Sequence, residues 1–168
     1  MSEKKPEVWL RGPVPGVPAL LQPVAHALLQ AAEEVEALLR DVPAETLWQR
    51  RGDVASAGFH AQHLGGVVDR LFTYARGEPL SDAQLAALRA EGVRPMRGDD
   101  GRDLAAAFRA QVERALAQLR DTDPATLSSP RGVGRQQLPS TVMGLLFHAA
   151  EHAQRHVGQL LVTLRLRV

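Results

Sequence analysis

The chain is predicted to be all-α, a four-helix bundle with a short extra helix, on three observations. Ala, Leu and Arg dominate while Ile and Asn are absent, and the β-branched and aromatic residues that favour strands are scarce. Four long segments carry apolar residues at three- and four-residue spacing, each giving a one-sided stripe. Breaks containing Pro or Gly separate them. The 168 residues are one domain's worth, enough for a single substantial core.

The opening "MSEKKPEVWLRGPVPGVP" has proline at 6, 13, 15 and 18, so residues 1–17 are expected to form an extended arm ahead of a helical domain over 18–168. The first helix is expected over about 19–42, with Leu21, Ala25, Leu28, Leu29, Ala32, Val35 and Leu39 on one face. Pro23 is tolerable near its start and marks a later true beginning, and "DVPAETL" breaks it. The second helix spans about 54–76, stopped by Gly77. A short piece, "SDAQLAALRAEG", has Ser81 or Asp82 as its cap and ends at Gly92. The third long helix covers about 102–121, with Leu104, Phe108, Val112, Ala115, Leu116 and Leu119 aligned. "TDPATLSSPRGVGRQQLP" then argues against regular structure, a short hairpin excepted. The last helix is capped by Ser140 or Thr141 and continues to about 165.

Composition narrows the function classes. Hydrophobic residues at 45% and charged residues at 23% are ordinary for a soluble globular protein. "MSEKKPEVWLRG" has basic residues but no apolar stretch after them, unlike a secretion signal. No apolar run approaches the ~20 residues that cross a bilayer, so a cytoplasmic protein with no membrane partner is expected. A net charge of +1 gives no electrostatic case for nucleic acid. Cysteine is absent, which removes disulfides, thiolate metal sites and a cysteine nucleophile together. A metal site must therefore use His, Asp or Glu, and thiol chemistry needs a thiol from outside.

All six histidines, at 26, 60, 63, 148, 152 and 156, fall on predicted long helices. "FHAAEHAQRHVGQLL" holds three of them, each four residues after the last. With His148 at zero, His152 lies near ~40° and His156 near ~80°, while Ala149, Leu160, Ala153, Leu146 and Val157 occupy roughly 100–180°. His152 and His156 thus border the core and His148 borders water. Imidazoles one turn apart can converge on one ion. A third ligand is available from "FHAQHLGG", where His60 and His63 occupy neighbouring positions of one face, beside Gly65 and Gly66, which allow close approach of another helix. Two histidines of the last helix and one of the second would leave open positions for water or substrate, as catalytic zinc sites do.

These segments resemble a known family. "HAQRHVGQLL" is similar to the closing H-x-x-x-H-x-G-Q motif of the DinB-like superfamily, "SAGFHAQHLGGVVDRL" resembles its second-helix segment, and "LWQRRGD" sits where that family has a tryptophan-containing approach. The similarity runs from about residue 17 to the end, and the final motif is its most specific part. The resemblance implies a four-helix bundle with a long crossover connection, often a homodimer. It also implies a divalent metal ion, nickel or zinc, held by His63, His152 and His156. Some relatives are thiol-dependent transferases or isomerases, so it further implies a low-molecular-weight thiol bound at the open metal position and a small-molecule substrate. A metal lowers such a thiol's pKa and makes it nucleophilic at neutral pH.

Other readings compete. "HAAEH", residues 148–152, fits the H-x-x-E-H spacing of inverted zinc proteases, but no acidic residue follows Glu151 to complete it. A non-catalytic bundle, metal-binding or metal-free, serving as an oligomeric interaction module explains the helices equally well. Arg131 and Arg135 precede the last helix's N-terminus, where anions are favoured. Folded over the histidine end they would hold a thiol cofactor's carboxylates; otherwise they belong to a solvated loop. His26 is expected to be a core or surface residue, Trp48 a packing residue, and Trp9 a pin for the arm.

Overall fold

The computed structural model describes residues 5–50, 52–98 and 100–165. Four long helices make the bundle: α1 (Gln22–Leu39), α3 (Ala57–Ala75), α5 (Gly101–Asp121) and α6 (Val142–Arg165). Two short ones, α2 (Ala44–Trp48) and α4 (Asp82–Ala90), lie in the connections. The apolar stripes are the buried faces. Leu28, Val35 and Leu39 of α1 meet Phe108, Leu116 and Leu119 of α5, Phe72 of α3 and Leu146 and Leu160 of α6 in one core.

Helix ends follow local side chains. Ser56 Oγ accepts the Phe59 N–H at 3.1 Å, so α3 starts where His60 and His63 fall in its first two turns. Ser81, rather than Asp82, caps α4 in a reciprocal capping box with Gln84. Thr141 Oγ1 accepts the Gly144 N–H at 3.0 Å and opens α6. Residues Ala19–Leu21 form a 3-10 turn, and α1 proper begins with Pro23 in its first turn.

Each of α1 and α3 packs against both α5 and α6, which places α1 and α3 at opposite corners. Ala61 and Leu104 wall one cavity, while Gln118 Nε2 donates to the Phe72 carbonyl at 2.9 Å; α3 and α5 therefore run the same way. Parallel neighbours need a connection that returns along the bundle's length, and residues 76–100, with α4, make it.

Two expectations hold with added detail, and one, the pinning role of Trp9, is corrected. "DVPAETL" ends α1 as expected, and its second half, with Trp48 after it, coils into α2 (Ala44–Trp48). Its Trp48 ring lies so close to Gly58 that a Cβ there would stand 2.6 Å from it. The irregular stretch contains an antiparallel hairpin, β1 (Pro130–Val133) with β2 (Leu138–Thr141), in register Arg131↔Ser140. The arm is pinned, though not by Trp9, which is 61% exposed. Residues Val8–Leu10 form a 3-10 turn, the Val8 N–H donates to Gln30 Oε1 at 2.9 Å, and Arg11 grips both oxygens of Glu33. His26 Nε2 lies 3.0 Å from the Gly12 carbonyl, which makes it a fastener for the arm.

Candidate metal centre

Where α3 and α6 pack, their histidines face one another in antiparallel order, His60 opposite His156 and His63 opposite His152. His63 Nε2 and His152 Nε2 are 3.0 Å apart, and His60 Nδ1 and His156 Nδ1 are also 3.0 Å apart. Ring centroids of His63 and His156 stand 4.4 Å apart, those of His152 and His156 4.6 Å. Ligand-type nitrogens of His63, His152 and His156 all lie within 4.8 Å of one another.

His63 is held from behind. Its Nδ1 is 2.7 Å from Glu91 Oε2, and the other carboxylate oxygen accepts from Arg70 Nη1 at 2.6 Å. With Nδ1–H donating to Glu91, Nε2 carries the lone pair and faces His152. Carboxylates play this part behind metal-binding histidines, fixing tautomer and ring orientation. Phe59 stacks on the His63 ring at 5.3 Å with 12° between planes. Gly66 serves this pair rather than a helix crossing: a Cβ there would lie 2.3 Å from Glu91 Oε1 and 2.6 Å from Arg70 Nη1. Gly65 has nothing near it. The expectation that both glycines admit a neighbouring helix is therefore corrected.

Burial and the neighbouring His63 lower three of these imidazoles, His60, His152 and His156. Desolvation, then the neighbouring His63, His152 and His60, push His156 down to about 4 from its ordinary 6.5. His152 is lowered by burial and by His63, and His60 by burial and by His63. Burial alone would raise Glu91, but hydrogen bonds from His63 and Arg70 outweigh it and hold the carboxyl below its usual range. With their pKa values lowered, His152 and His156 offer lone pairs for which protons compete less at neutral pH.

The donor set fits a borderline divalent ion such as zinc or nickel. Two nitrogens each ~2.0–2.1 Å from one ion sit roughly 3 Å apart, the separation seen between His63 and His152. Three nitrogen ligands leave at least one position for water or substrate.

The structure thus brings His63, His152 and His156 together and leaves His148, half exposed, on the solvent side, in the order the helical projection gives. His60 is 5% exposed and serves His156. Glu91, Arg70 and Phe59 were missed from sequence. Glu91 stands 28 positions after its partner, on the crossover, where no periodicity links them; Glu91 before Gly92 reads only as a helix end. The arginine loop belongs elsewhere: Arg131 Nε donates to the Ala75 carbonyl at 2.8 Å, at the end of α3 away from His60 and His63. The reading that folds this loop over the histidines is corrected.

A family model described as the DinB superfamily matches residues 27–160, the greater part of the chain and all three histidines of the cluster. No curated protein matches the chain.

Proposed function

The chain therefore belongs to the DinB superfamily, and from that premise we propose that it binds a divalent ion, nickel or zinc, through His63, His152 and His156 and uses it to activate a low-molecular-weight thiol for transfer to a small electrophile. The observation that carries the metal reading is the convergence of three imidazole nitrogens within 4.8 Å, with one ring locked by Glu91 at 2.7 Å. The ion, when bound, supplies a Lewis acid that keeps a coordinated thiol ionised near neutral pH.

The chain's own residues do the rest. Glu91 orients His63, with Arg70 fixing Glu91 in turn. His60 takes up the second nitrogen of His156, leaving the other for the ion. Phe59 covers one face of His63 and keeps water from it. With no cysteine in the chain, the thiol of this reading comes from a cosubstrate.

One test is elemental analysis by mass spectrometry of tag-free protein, wild type beside His152→Ala. About one equivalent of nickel or zinc, lost in the variant without loss of helical circular dichroism, is expected, together with loss of thiol-dependent transfer. Transfer activity retained in His152→Ala would sink the mechanism. The competing reading is a metal-free interaction module, favoured by the two imidazole pairs, each of which is within reach of one N–H···N hydrogen bond without an ion. It predicts no metal in either protein, even after incubation with divalent ions. No helix among the described residues is long and apolar enough to cross a membrane.

A further inference from the structure

His148, Glu151 and His152 form a second group whose ligand-type atoms lie within 4.8 Å of one another. It occupies the solvent side of the three-histidine cluster, with the His148 side chain 50% exposed. These are the residues of the H-x-x-E-H spacing. Glu151 Oε2 lies 3.2 Å from His148 Nδ1, and the other carboxylate oxygen takes the Arg155 guanidinium. Two polar atoms here are sealed from water without a well-directed hydrogen bond, Glu151 Oε2 and His152 Nδ1. Buried polar atoms left this way are costly, and a cation with nitrogen and carboxylate ligands would satisfy both.

His152 connects the two groups. Its Nε2 faces His63 at 3.0 Å, which leaves Nδ1 for the outer group. A neutral imidazole has one lone pair, its other nitrogen carrying the proton. His152 can therefore serve one ion at a time.

We propose that His148, Glu151 and His152 form an outer divalent-cation site through which ions are loaded into the inner three-histidine site, His152 being common to both. The proposal rests on the metal-binding reading of the inner site. On transfer the bonds to His148 and Glu151 break and bonds to His63 and His156 form. The His152 ring proton moves from Nε2 to Nδ1 as the ion leaves Nδ1 for Nε2, so the imidazole stays neutral and no net proton is gained or lost. The direction follows from the surroundings. The outer site is wetter, and the nearby Arg155 repels a cation. The inner site is drier and supplies three neutral nitrogens.

The test uses full-length, tag-free apo protein and zinc(II). Equilibrium titration against a chromophoric chelator compares wild type, His63→Ala and His63→Ala/His148→Ala. Stopped-flow loading compares wild type, His148→Ala and Glu151→Gln. One tight equivalent is expected in wild type, one weaker equivalent in His63→Ala, and none in the double variant. His148→Ala and Glu151→Gln should reach wild-type stoichiometry and affinity but load about tenfold more slowly, the first through loss of an outer ligand and the second also through loss of a charge, for which tenfold is the low end of the effect on association rates. Equal loading rates in all three proteins overturn the proposal. Zinc bound by wild type and not by His63→Ala also overturns it and leaves the inner site standing. Zinc bound equally tightly by both removes the inner site instead. Weakened equilibrium affinity in Glu151→Gln with a silent His148→Ala would make Glu151 an acceptor that orients His152, again overturning a loading role. No zinc in wild type overturns both sites.

Discussion

Along the contact between α3 and α6 the same two helices make two different interfaces. Toward the end of α3 and the start of α6, Val68, Leu71, Phe72 and Ala75 share the core with Val142, Leu145, Leu146 and Ala149, all buried. Toward the other end, beside buried Ala61, Leu64, Ala153 and Val157, the contact adds His60, His63, His152 and His156, with Glu91 and Arg70 behind them. The first half stabilises by removing apolar surface from water. The second half desolvates imidazoles that would otherwise titrate near neutrality, which opposes folding. An interface split this way indicates that the apolar half holds the helices together so that the histidine half need not.

The sharpest test of that division is in the apolar half. Phe72 is 2% exposed, and Phe72→Ala is expected to cost roughly 3–5 kcal/mol of stability, the range for emptying a buried aromatic site, measured by urea denaturation of metal-free protein. Zinc stoichiometry in native buffer should stay at one. A loss below about 1 kcal/mol would mean that the apolar half does not carry the interface.

The apolar half was legible in the sequence because burial repeats with the helical period. Leu104 through Leu119 on α5 and Ala25 through Leu39 on α1 announce their faces directly. The same period placed His152 and His156 at the core's edge and His148 outside it. Choosing His63 over His60 needed the family's motif, since both lie on the inner side of α3. What could not be read was anything held by a single long-range contact. Glu91 reaches His63 from the crossover, Arg131 reaches Ala75 from the hairpin, and Trp48 reaches Gly58 from α2. Each is set by chain path, which periodicity does not encode.

The histidine half should respond to a change that leaves its ligands intact. Glu91→Gln keeps an acceptor near His63 but removes the charge that sustains its ligand tautomer. Zinc affinity, read by competition with a chelator, is expected to fall about 10–100-fold, the usual cost of losing an orienting partner. Unchanged affinity would make Glu91 a tether for the crossover and nothing more.

The two halves should also differ toward acid. His156 has its pKa depressed in the folded chain, to about 4 against 6.5, so between those values the unfolded chain binds more protons. Stability must then fall as pH drops from 6.5 toward 4 and be level on this account above 6.5. Thermal unfolding of metal-free protein across that range should show the decline, and His156→Gln should flatten it. A slope unaffected by the substitution would place the acid sensitivity in other groups.

The smallest effect is the most local, because it separates adjacent residues with the same side chain. A Cβ on Gly65 meets nothing within 4 Å, so Gly65→Ala should stabilise α3 by about 0.5–1 kcal/mol, the helix-interior difference between the two residues, with zinc affinity unchanged. A Cβ on Gly66 strikes the Glu91–Arg70 pair. Both contacts are with the ends of flexible side chains, so the bundle can accommodate Gly66→Ala by displacing the pair and releasing His63. The same gain in helix propensity is then offset by the broken pair, and zinc affinity falls as in Glu91→Gln. Equal behaviour of the two variants in both measurements would show that Gly66 does not reserve space for the ion pair, and that the orientation of His63 is independent of it.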